Sequence, residues 1–283
     1  MTVHSRMFNF LVIPLTVLGL TACSEPTASA VAQDNALEQA VQAESREEAN
    51  KARDAFRNPQ QTLAFFGIRP NMTVVEVSPG GGWYTEILAP YLKQDGLLYA
   101  AHFPADSSSG YYARSRQAFV ERVANDANFA NIVVTEFAPF SETEIAPPGS
   151  ADMVLTFRNL HNWYMNGGDE AVQNAFLQFY TALKPGGVLG VVDHRLPENR
   201  PDTDMASSGY MKESFAVAMA EAVGFELVER SEINSNPRDT ADHPRGVWTL
   251  PPTLRLGDEN RDTYSAIGES DRFTLKFVKP KTD

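Results

Sequence analysis

The stretch TVVEVSPGGGWYTEIL, residues 73–88, decides the fold. Its first five residues, Thr73 to Val77, are mostly β-branched and apolar, which predicts a buried parallel strand. The run SPGGG at 78–82 breaks the strand, and apolar residues at helical spacing resume at Trp83. The stretch therefore predicts a strand, a glycine loop and a helix in succession.

The glycine loop holds Gly80, Gly81 and Gly82. Glycines carry no Cβ, so the backbone can come close to a ligand, and the free N–H groups of the following helix point toward it. This arrangement predicts a cradle for a nucleotide-type ligand. The alternative is an ordinary tight turn, which a glycine-rich loop alone does not exclude.

Strands and helices alternate along the rest of the chain. The further predicted strands cover 97–102, 132–137, 152–157, 188–192, 225–233 and 273–278, and helical patterns separate most of them. Alternation of this kind predicts an α/β fold with a doubly wound, mostly parallel sheet and helices on both faces.

The whole chain has 283 residues and a formal net charge of −12. Its length is that of one ordinary domain with an appendage, enough to bury a sizeable core. The acidic balance argues against nucleic-acid binding, because a phosphate backbone needs a basic face. A small-molecule partner is expected instead, and the sequence makes no prediction of oligomeric state.

The first 22 residues have the features of a targeting segment. Arg6 supplies a positive charge, and the apolar run from 8 to 20 is short for a bilayer span. Leu20-Thr21-Ala22 before Cys23, the only cysteine, resembles a bacterial lipobox. The resemblance implies a lipoprotein signal peptide at 1–22, lipidation of Cys23, and an anchor at the periplasmic face of a bacterial membrane, the outer rather than the inner. An uncleaved signal anchor is the alternative.

The composition of residues 23–283 predicts a tether followed by a folded domain. Residues 23–43 are rich in Ala, Thr, Ser and Gln and predict a flexible tether, so the folded domain is expected at 44–283. Within this domain, the segment 234–270 is long for a connection and contains four prolines and Trp248, which predicts an ordered cover loop.

Four motifs now resemble those of class I S-adenosylmethionine-dependent methyltransferases, specifically a group of exported predicted methyltransferases. The resemblance covers about residues 51–280, and its motifs are PGGGWYTEILAP at 79–90, NLHNW at 159–163, LKPGG at 183–187 and IGESDRFTLKFVKP at 267–280. It implies a seven-stranded, Rossmann-like sheet with an antiparallel seventh strand, S-adenosylmethionine as cofactor, and methyl transfer to an unidentified small molecule.

The same resemblance assigns the cofactor to residues at the strand ends. These are Glu76, Ser78, Gly80, Gly81, Gly82, Tyr84, His102 and Arg158. Two of them depart from the family pattern: Ser78 stands where a Gly is usual, and His102 stands where an acid usually meets the ribose hydroxyls. An imidazole can bond a hydroxyl but lacks the doubly accepting geometry of a carboxylate. A nicotinamide-binding Rossmann domain is disfavoured by the same region, since Thr85 and His102 occupy its fingerprint positions.

Chemistry is expected beyond the carboxyl ends of the strands, where open α/β sheets bind ligands. His161 is the preferred catalytic base or substrate-orienting group, because the methyl acceptor must lose a proton and imidazole titrates near neutral pH. Asn159 is the second catalytic candidate, and Trp163, Asp193 and His194 are the candidates for substrate binding. Alternatively, His161 is only a hydrogen-bonded residue at a strand end, since alignment alone supports much of methyl transfer.

The sequence also bears on metal binding and on whether the protein is an enzyme. No metal is predicted, because neither HExxH nor paired cysteines occur. The alternative to an enzyme is a non-catalytic ligand-binding or envelope interaction lipoprotein on the same fold, which the departures at Ser78 and His102 favour.

Overall fold

The computed structural model describes residues 1–2 and 28–281. Most of the predicted signal peptide at 1–22, and the predicted lipidation site Cys23, lie outside the described residues. Among the residues that are described, no helix combines the length and hydropathy needed to cross a bilayer.

Seven strands form the main sheet, and two short ones lie off its path. In chain order the strands are β1 Thr73–Val77, β2 Leu97–His102, β3 Ile132–Glu136, β4 Ala151–Phe157, β5 Leu183–Leu196, β6 Met211–Lys212, β7 Glu226–Ser231, β8 Pro244–Val247 and β9 Arg272–Val278. The spatial order is β3-β2-β1-β4-β5-β9-β7, and β6 extends the end of β5. Strands β1 to β5 pair in parallel, whereas β9 runs antiparallel to both β5 and β7. The predicted doubly wound, mostly parallel sheet and its antiparallel strand are confirmed.

Strand β5 begins earlier than the sequence predicts. Its first residue, Leu183, pairs with Ala151, and the register then shifts before Val188 pairs with Met153. The glycines of LKPGG, which predict a stop ahead of the strand, instead lie within it, and Gly186 has a φ of 80°. Glycine permits this left-handed conformation at an irregularity in the pairing.

Helices cover both faces of the sheet. They are α1 Ala28–Val41, α2 Glu48–Lys51, α3 Asp54–Arg57, α4 Pro59–Phe66, α5 Thr85–Leu92, α6 Gly110–Asn125, α7 Leu160–Ala182, α8 Met205–Ser208, α9 Glu213–Val223 and α10 Arg261–Ile267, with 3₁₀ turns at Ala127–Phe129 and Asp202–Asp204. Helices α7 and α9 bury apolar residues against one face, and α1, α4 and α5 against the other. Helix α7 is interrupted at Gly168, and its first turn carries the NLHNW motif, which places His161 next to the end of β4.

The prediction of a flexible tether over 23–43 is wrong for its second half. Helix α1 occupies 28–41, and Leu37, Ala40 and Val41 are buried in the cluster that also contains residues of α4 and α5. Arg46 donates from Nη1 to the carbonyl oxygen of Val41 at 2.7 Å and so satisfies a free acceptor at the end of the helix. The folded part therefore begins before residue 44, because apolar side chains recur on one face of an Ala- and Gln-rich helix.

The long segment 234–270 is folded over the carboxyl edge of the sheet. It contains β8 and α10, and Val247 and Leu250 are buried. Tyr210 donates to both carboxylate oxygens of Asp239, which also accepts from the backbone N–H of Asp271 at 2.8 Å. This network ties the two ends of the segment to each other and to the rest of the domain.

Candidate functional site

A cavity of about 480 Å³ opens at the carboxyl ends of β1, β4 and β5. Its wall combines the loop after β1, the residues after β4, the segment 47–57 and the cover segment around Trp248. The predicted site residues that line it are Glu76, Ser78, Gly80, Gly81, Tyr84, Arg158, Asn159, His161 and His194. The remaining predicted residues, Gly82, His102, Trp163 and Asp193, do not line it.

The glycine loop leaves open space beside its backbone. A Cβ added to Gly80 or Gly81 would meet no heavy atom within 4 Å. Ser78 has a φ of 51°, the left-handed conformation for which glycine is best suited, and its buried Oγ has no hydrogen-bond partner among the residues that the structure describes. An open backbone edge and an unsatisfied hydroxyl both favour contact with a ligand here.

Gly82 and His102 hold the loop from behind. A Cβ at Gly82 would lie 3.4 Å from Phe119 of α6, so this glycine allows the loop to pack against the helix. Nε2 of His102 donates to the carbonyl oxygen of Gly80 at 3.2 Å, and Nδ1 accepts from the backbone N–H of Phe103 at 2.8 Å. Burial lowers the pKa of His102 to about 4, so the ring is neutral. Both ring nitrogens are used by the backbone, so His102 braces the glycine loop and does not reach the place of a ribose contact.

Trp163 and Asn159 also differ from their predicted roles. Trp163 is buried against Phe137, with ring centroids 5.1 Å apart, and belongs to the core beneath α7. The prediction that it walls the substrate site is therefore corrected. Asn159 lines the cavity, but its Nδ2 donates to the carbonyl oxygen of Val77 at 3.1 Å and to Oγ1 of Thr156 at 3.2 Å. These bonds tie the ends of β1 and β4 together.

Glu76 is a buried carboxyl group at the floor of the cavity. Burial raises its pKa to about 7, although a hydrogen bond of 2.6 Å from Oγ1 of Thr85 acts in the opposite direction. Above it, the ring of Tyr84 stacks on Phe157 at a centroid distance of 3.5 Å. The floor therefore gains or loses one negative charge near neutral pH.

His161 and Asp193 form a buried pair across the ends of β4 and β5. Nδ1 of His161 lies 2.9 Å from Oδ1 of Asp193, and this oxygen also accepts from the backbone N–H of His194 at 2.7 Å. Since the carboxylate can only accept, it fixes the proton of the imidazole on Nδ1 and leaves Nε2 as an acceptor. Asp193 is fully buried behind His161 and acts by orienting it.

His194 lies beside His161, with ring centroids 5.0 Å apart. Its Nδ1 is hydrogen-bonded to Oγ of Ser270, which accepts in turn from Nε of Arg272 at 3.3 Å. Burial, with the nearby charges of His161 and Arg272, holds the pKa of His194 well below its usual value. The serine hydroxyl that accepts from Arg272 can still donate its own hydrogen to Nδ1, and in that tautomer His194 carries its ring proton on Nε2. The cavity thus has two neighbouring imidazoles: Nε2 of His161 can accept a proton, and Nε2 of His194 can donate a hydrogen bond in the tautomer described above.

Four arginines surround the other end of the cavity, and only one of them, Arg158, follows from the sequence analysis. Arg53, Arg57, Arg158 and Arg272 all line the wall, together with Glu269. Burial alone would raise the pKa of Glu269, but the guanidinium groups around it lower the value to about 2. The sequence does contain a signal for Glu269 and Arg272 as site residues: in ESDRF, charged residues stand at the start of an apolar strand. For Arg53 and Arg57 the signal is their helical spacing, which places both side chains on one face.

The ligand atoms of His161, Asp193 and His194 lie within 4.8 Å of one another, a grouping that can hold a metal ion. Two of these residues are already paired with each other. Burial lowers the pKa of His194 most, and the charges of His161, Arg272, Arg158 and Arg57 lower it further; the positive field of the arginines opposes a divalent cation. The expectation of no metal stays a prediction.

Comparison with solved structures supports the fold. A SAM-dependent methyltransferase from Aquifex aeolicus has a TM-score of 0.52 and 15% identity, over 81% of this chain and 93% of that one. A putative sarcosine dimethylglycine methyltransferase from Galdieria sulphuraria has a TM-score of 0.55 and 12% identity, over 84% and 88%. The [4+2]-cyclase SpnF has a TM-score of 0.54 and 15% identity, over 91% and 97%.

No protein-family model matches the sequence, and no curated protein matches it. At these identities the structural likeness concerns the fold. The chain therefore has the Rossmann-like fold of S-adenosylmethionine-dependent methyltransferases, with the antiparallel strand β9 between β5 and β7.

Proposed function

We propose that this protein transfers a methyl group from S-adenosylmethionine to a small molecule bound in the same cavity. The observation that carries the proposal is the pairing of an open glycine loop at the end of β1 with an oriented imidazole, His161, at the end of β4. S-adenosylmethionine supplies an electrophilic methyl group. The residues that would hold it are Gly80 and Gly81, which have open space beside their backbone, and Ser78, whose buried hydroxyl is unsatisfied among the described residues.

His161 and His194 suit a methyl acceptor that carries a hydroxyl or amine. Nε2 of His161 is placed to take the proton from the nucleophile, and Asp193 stabilises the imidazolium that forms. The N–H of His194 can donate to the same atom and fix its position. Because Trp248 lies with its ring centroid 6.1 Å from that of His161, the cover segment also limits the access of water.

Calorimetry of the full-length protein with S-adenosylmethionine and its demethylated product tests the cofactor assignment. Gly81 is the residue to change, since it has open space and no left-handed backbone angle, so Gly81→Leu fills the cradle without strain. We expect saturable heat from the native protein, loss of heat from Gly81→Leu, and equal melting temperatures. Absence of heat at millimolar ligand contradicts the proposal.

A second candidate is a ligand-binding protein without catalysis on the same fold. The engagement of His102 with Gly80 favours it, because the usual partner of the ribose hydroxyls is then missing. Formation of the demethylated product in the presence of small acceptors distinguishes the two functions. Binding with no turnover over a panel of hydroxy acids and phosphorylated alcohols supports the binding protein.

We also propose that the protein is exported and anchored at the periplasmic face of a bacterial membrane, the outer membrane in preference to the inner, through lipid on Cys23. The support is the apolar run of residues 8–20 and the small residues before this single cysteine. Metabolic labelling with a radioactive fatty acid tests the proposal. We expect incorporation that disappears in Cys23→Ala, and an unlabelled native protein contradicts it.

A further inference from the structure

The arginines of the cavity outnumber the carboxylate that pairs with them. Glu269 accepts from Nε of Arg53 at 2.6 Å and from Nε of Arg57 at 3.2 Å, and it also forms an ion pair with Nη2 of Arg272. One buried carboxylate thus holds three guanidinium groups in place.

Several guanidinium nitrogens around this carboxylate lack a partner. Nη2 of Arg53 and Nη1 of Arg57 are buried without a hydrogen bond to any described residue, and only 2% of Arg57 is exposed. The guanidinium of Arg158 makes no ion pair or hydrogen bond with any residue in the described part of the chain. Buried polar groups are nearly always satisfied, so the two buried nitrogens of Arg53 and Arg57 indicate a missing acceptor, and the half-buried guanidinium of Arg158 lies in the same cavity wall.

The charge in this part of the cavity is strongly positive. Four guanidinium groups face one ionised Glu269, which leaves a net charge of about +3. The other lining carboxyls do not balance it: Glu47 pairs with Arg122 at 3.3 Å, and the pKa of Glu76 is raised to about 7. Burial, followed by the charge of Arg272, lowers the pKa of Arg158 to about 10, so this group is still charged at neutral pH. Unneutralised buried charge is unfavourable, and an anionic ligand would offset it.

We propose that this end of the cavity binds a dianionic group of the methyl acceptor, a dicarboxylate or a phosphate monoester. The inference rests on the proposed function in taking the anion to be part of the acceptor. A single carboxylate, such as that of the amino-acid part of the cofactor, neutralises one charge and leaves two. Guanidinium groups bind carboxylate and phosphate oxygens through paired hydrogen bonds, which matches the free nitrogens of Arg57, Arg53 and Arg158.

The arginines are connected directly to the histidine pair. Arg272 donates to Ser270, which is hydrogen-bonded to His194, and His194 lies beside His161. An anion held by the arginines therefore places its neighbouring hydroxyl or amine near the two imidazoles. The acceptor that fits is a small acid with a nucleophilic group close to its anionic end.

Calorimetry of the full-length protein with inorganic phosphate, succinate and acetate tests the inference. Arg158→Gln is the informative variant, because the side chain makes no ion pair that its loss would break. Arg69→Gln is the matched control, since Arg69 is exposed and precedes β1 at the opposite edge of the sheet. We expect phosphate and succinate to bind more tightly than acetate, and Arg158→Gln to weaken them at least about tenfold, the loss of one charged hydrogen bond. Arg69→Gln should bind like the native protein.

Three results overturn the inference: no heat from either dianion at millimolar concentration, acetate binding as tightly as succinate, or equal affinities in Arg158→Gln and the native protein. A repeat with the demethylated cofactor present separates it from the proposed function. Phosphate binding that persists supports an acceptor site, and binding that is abolished assigns the arginines to the cofactor instead. If the protein binds phosphate but does not bind S-adenosylmethionine, the proposed anion site is supported and the proposed methyl transfer is refuted.

Discussion

Nδ1 of His161 lies 2.9 Å from Oδ1 of Asp193, although the two residues are 32 positions apart in the chain. Neighbouring parallel strands bring them together: Phe157 of β4 pairs with Val192 of β5. Asp193 follows Val192 within β5, and His161 lies in the first turn of α7, just beyond β4. The carboxylate is completely buried, so it serves to orient the imidazole and has no contact with the cavity.

Replacing Asp193 with Asn is expected to remove the fixed tautomer of His161. The amide can face the imidazole with its NH2 group as well as with its oxygen, and it does not stabilise an imidazolium, so methyl transfer should fall about 100-fold or more. Nitrogen chemical shifts of the His161 ring, measured by NMR, should change from a single Nδ1–H form to a mixture. Affinity for the demethylated cofactor should not change.

Asp95→Asn is the control for this substitution, because Asp95 is exposed in the turn before β2. A His161 ring that keeps its nitrogen shifts in Asp193→Asn would refute the orienting role. An unchanged turnover would show that the transfer needs no base at this position.

Replacing Glu269 with Gln is expected to destabilise the fold severely. Its carboxylate is 3% exposed and neutralises guanidinium groups that are themselves buried. Removing one partner of such a pair leaves uncompensated charge, with a loss of about 3–5 kcal/mol in the free energy of unfolding by urea. Glu232→Gln breaks an exposed pair with Arg195 and should cost far less. Equal losses from the two variants would contradict this account.

Arg158→Gln is expected to stabilise the ligand-free protein. The pKa of Arg158 is lowered to about 10, first by burial and then by the charge of Arg272, which shows that its charge is unfavourable where it lies. Removing the charge should raise the melting temperature, whereas Arg69→Gln should leave it unchanged. A lower melting temperature for Arg158→Gln would mean that this charge is neutralised in the folded protein.

Sequence patterns predicted the fold because each strand can be recognised from its own residues alone. A β-branched apolar run such as Val74–Val77 shows a buried strand without reference to any other part of the chain, and the alternation with helices then restricts the sheet. The boundary at residue 44 was wrong for the opposite reason. Ala- and Gln-rich segments become helices when neighbouring helices bury their few apolar residues, as α4 and α5 do for Leu37.

The site was predicted less completely than the fold. Ser78 and His194 were found because they lie just after predicted strands, and His161 because it lies in the short run of polar residues beyond β4. The arginine cluster combines residues at α3, β4 and β9, which lie far apart in the sequence. The position of His102 at a strand end was also predicted correctly, but its direction was not. The sequence places His102 at the end of β2 but does not show whether its side chain turns back to Gly80, as it does in the structure, or faces the cavity.

The pKa of Glu76 predicts a pH-dependent stability. Its value is about 7 in the folded chain, against an ordinary 4.5, because burial disfavours the charged form. Between these two pH values the folded protein holds a proton that the unfolded chain has released. The contribution of Glu76 to stability is therefore fully present below pH 4.5 and is lost as the pH rises through about 7.

Glu76→Gln stays uncharged and should not show this loss. The difference in unfolding free energy between the variant and the native protein should move in favour of the variant by roughly 3 kcal/mol across this range. Urea unfolding at several pH values measures the difference, and other titrating groups cancel in it. A difference that does not vary with pH would show that Glu76 has an ordinary pKa.

Truncation tests whether α1 belongs to the folded domain. A chain that starts at residue 44 lacks Leu37, Ala40 and Val41, which are 3%, 7% and 5% exposed in the structure. Losing one buried leucine and one buried valine should reduce the free energy of unfolding by about 4 kcal/mol, because the apolar surfaces of α4 and α5 beneath them become exposed to water.

A chain that starts at residue 28 keeps the helix and is the matched control. The substitution Leu37→Ala in that chain should reproduce about half of the loss, 2 kcal/mol or somewhat more, since it removes one of the two large side chains. Urea unfolding of the three proteins gives the comparison. If chains starting at 28 and 44 unfold at the same urea concentration, α1 contributes nothing to stability, and the segment acts as the tether that its composition predicts.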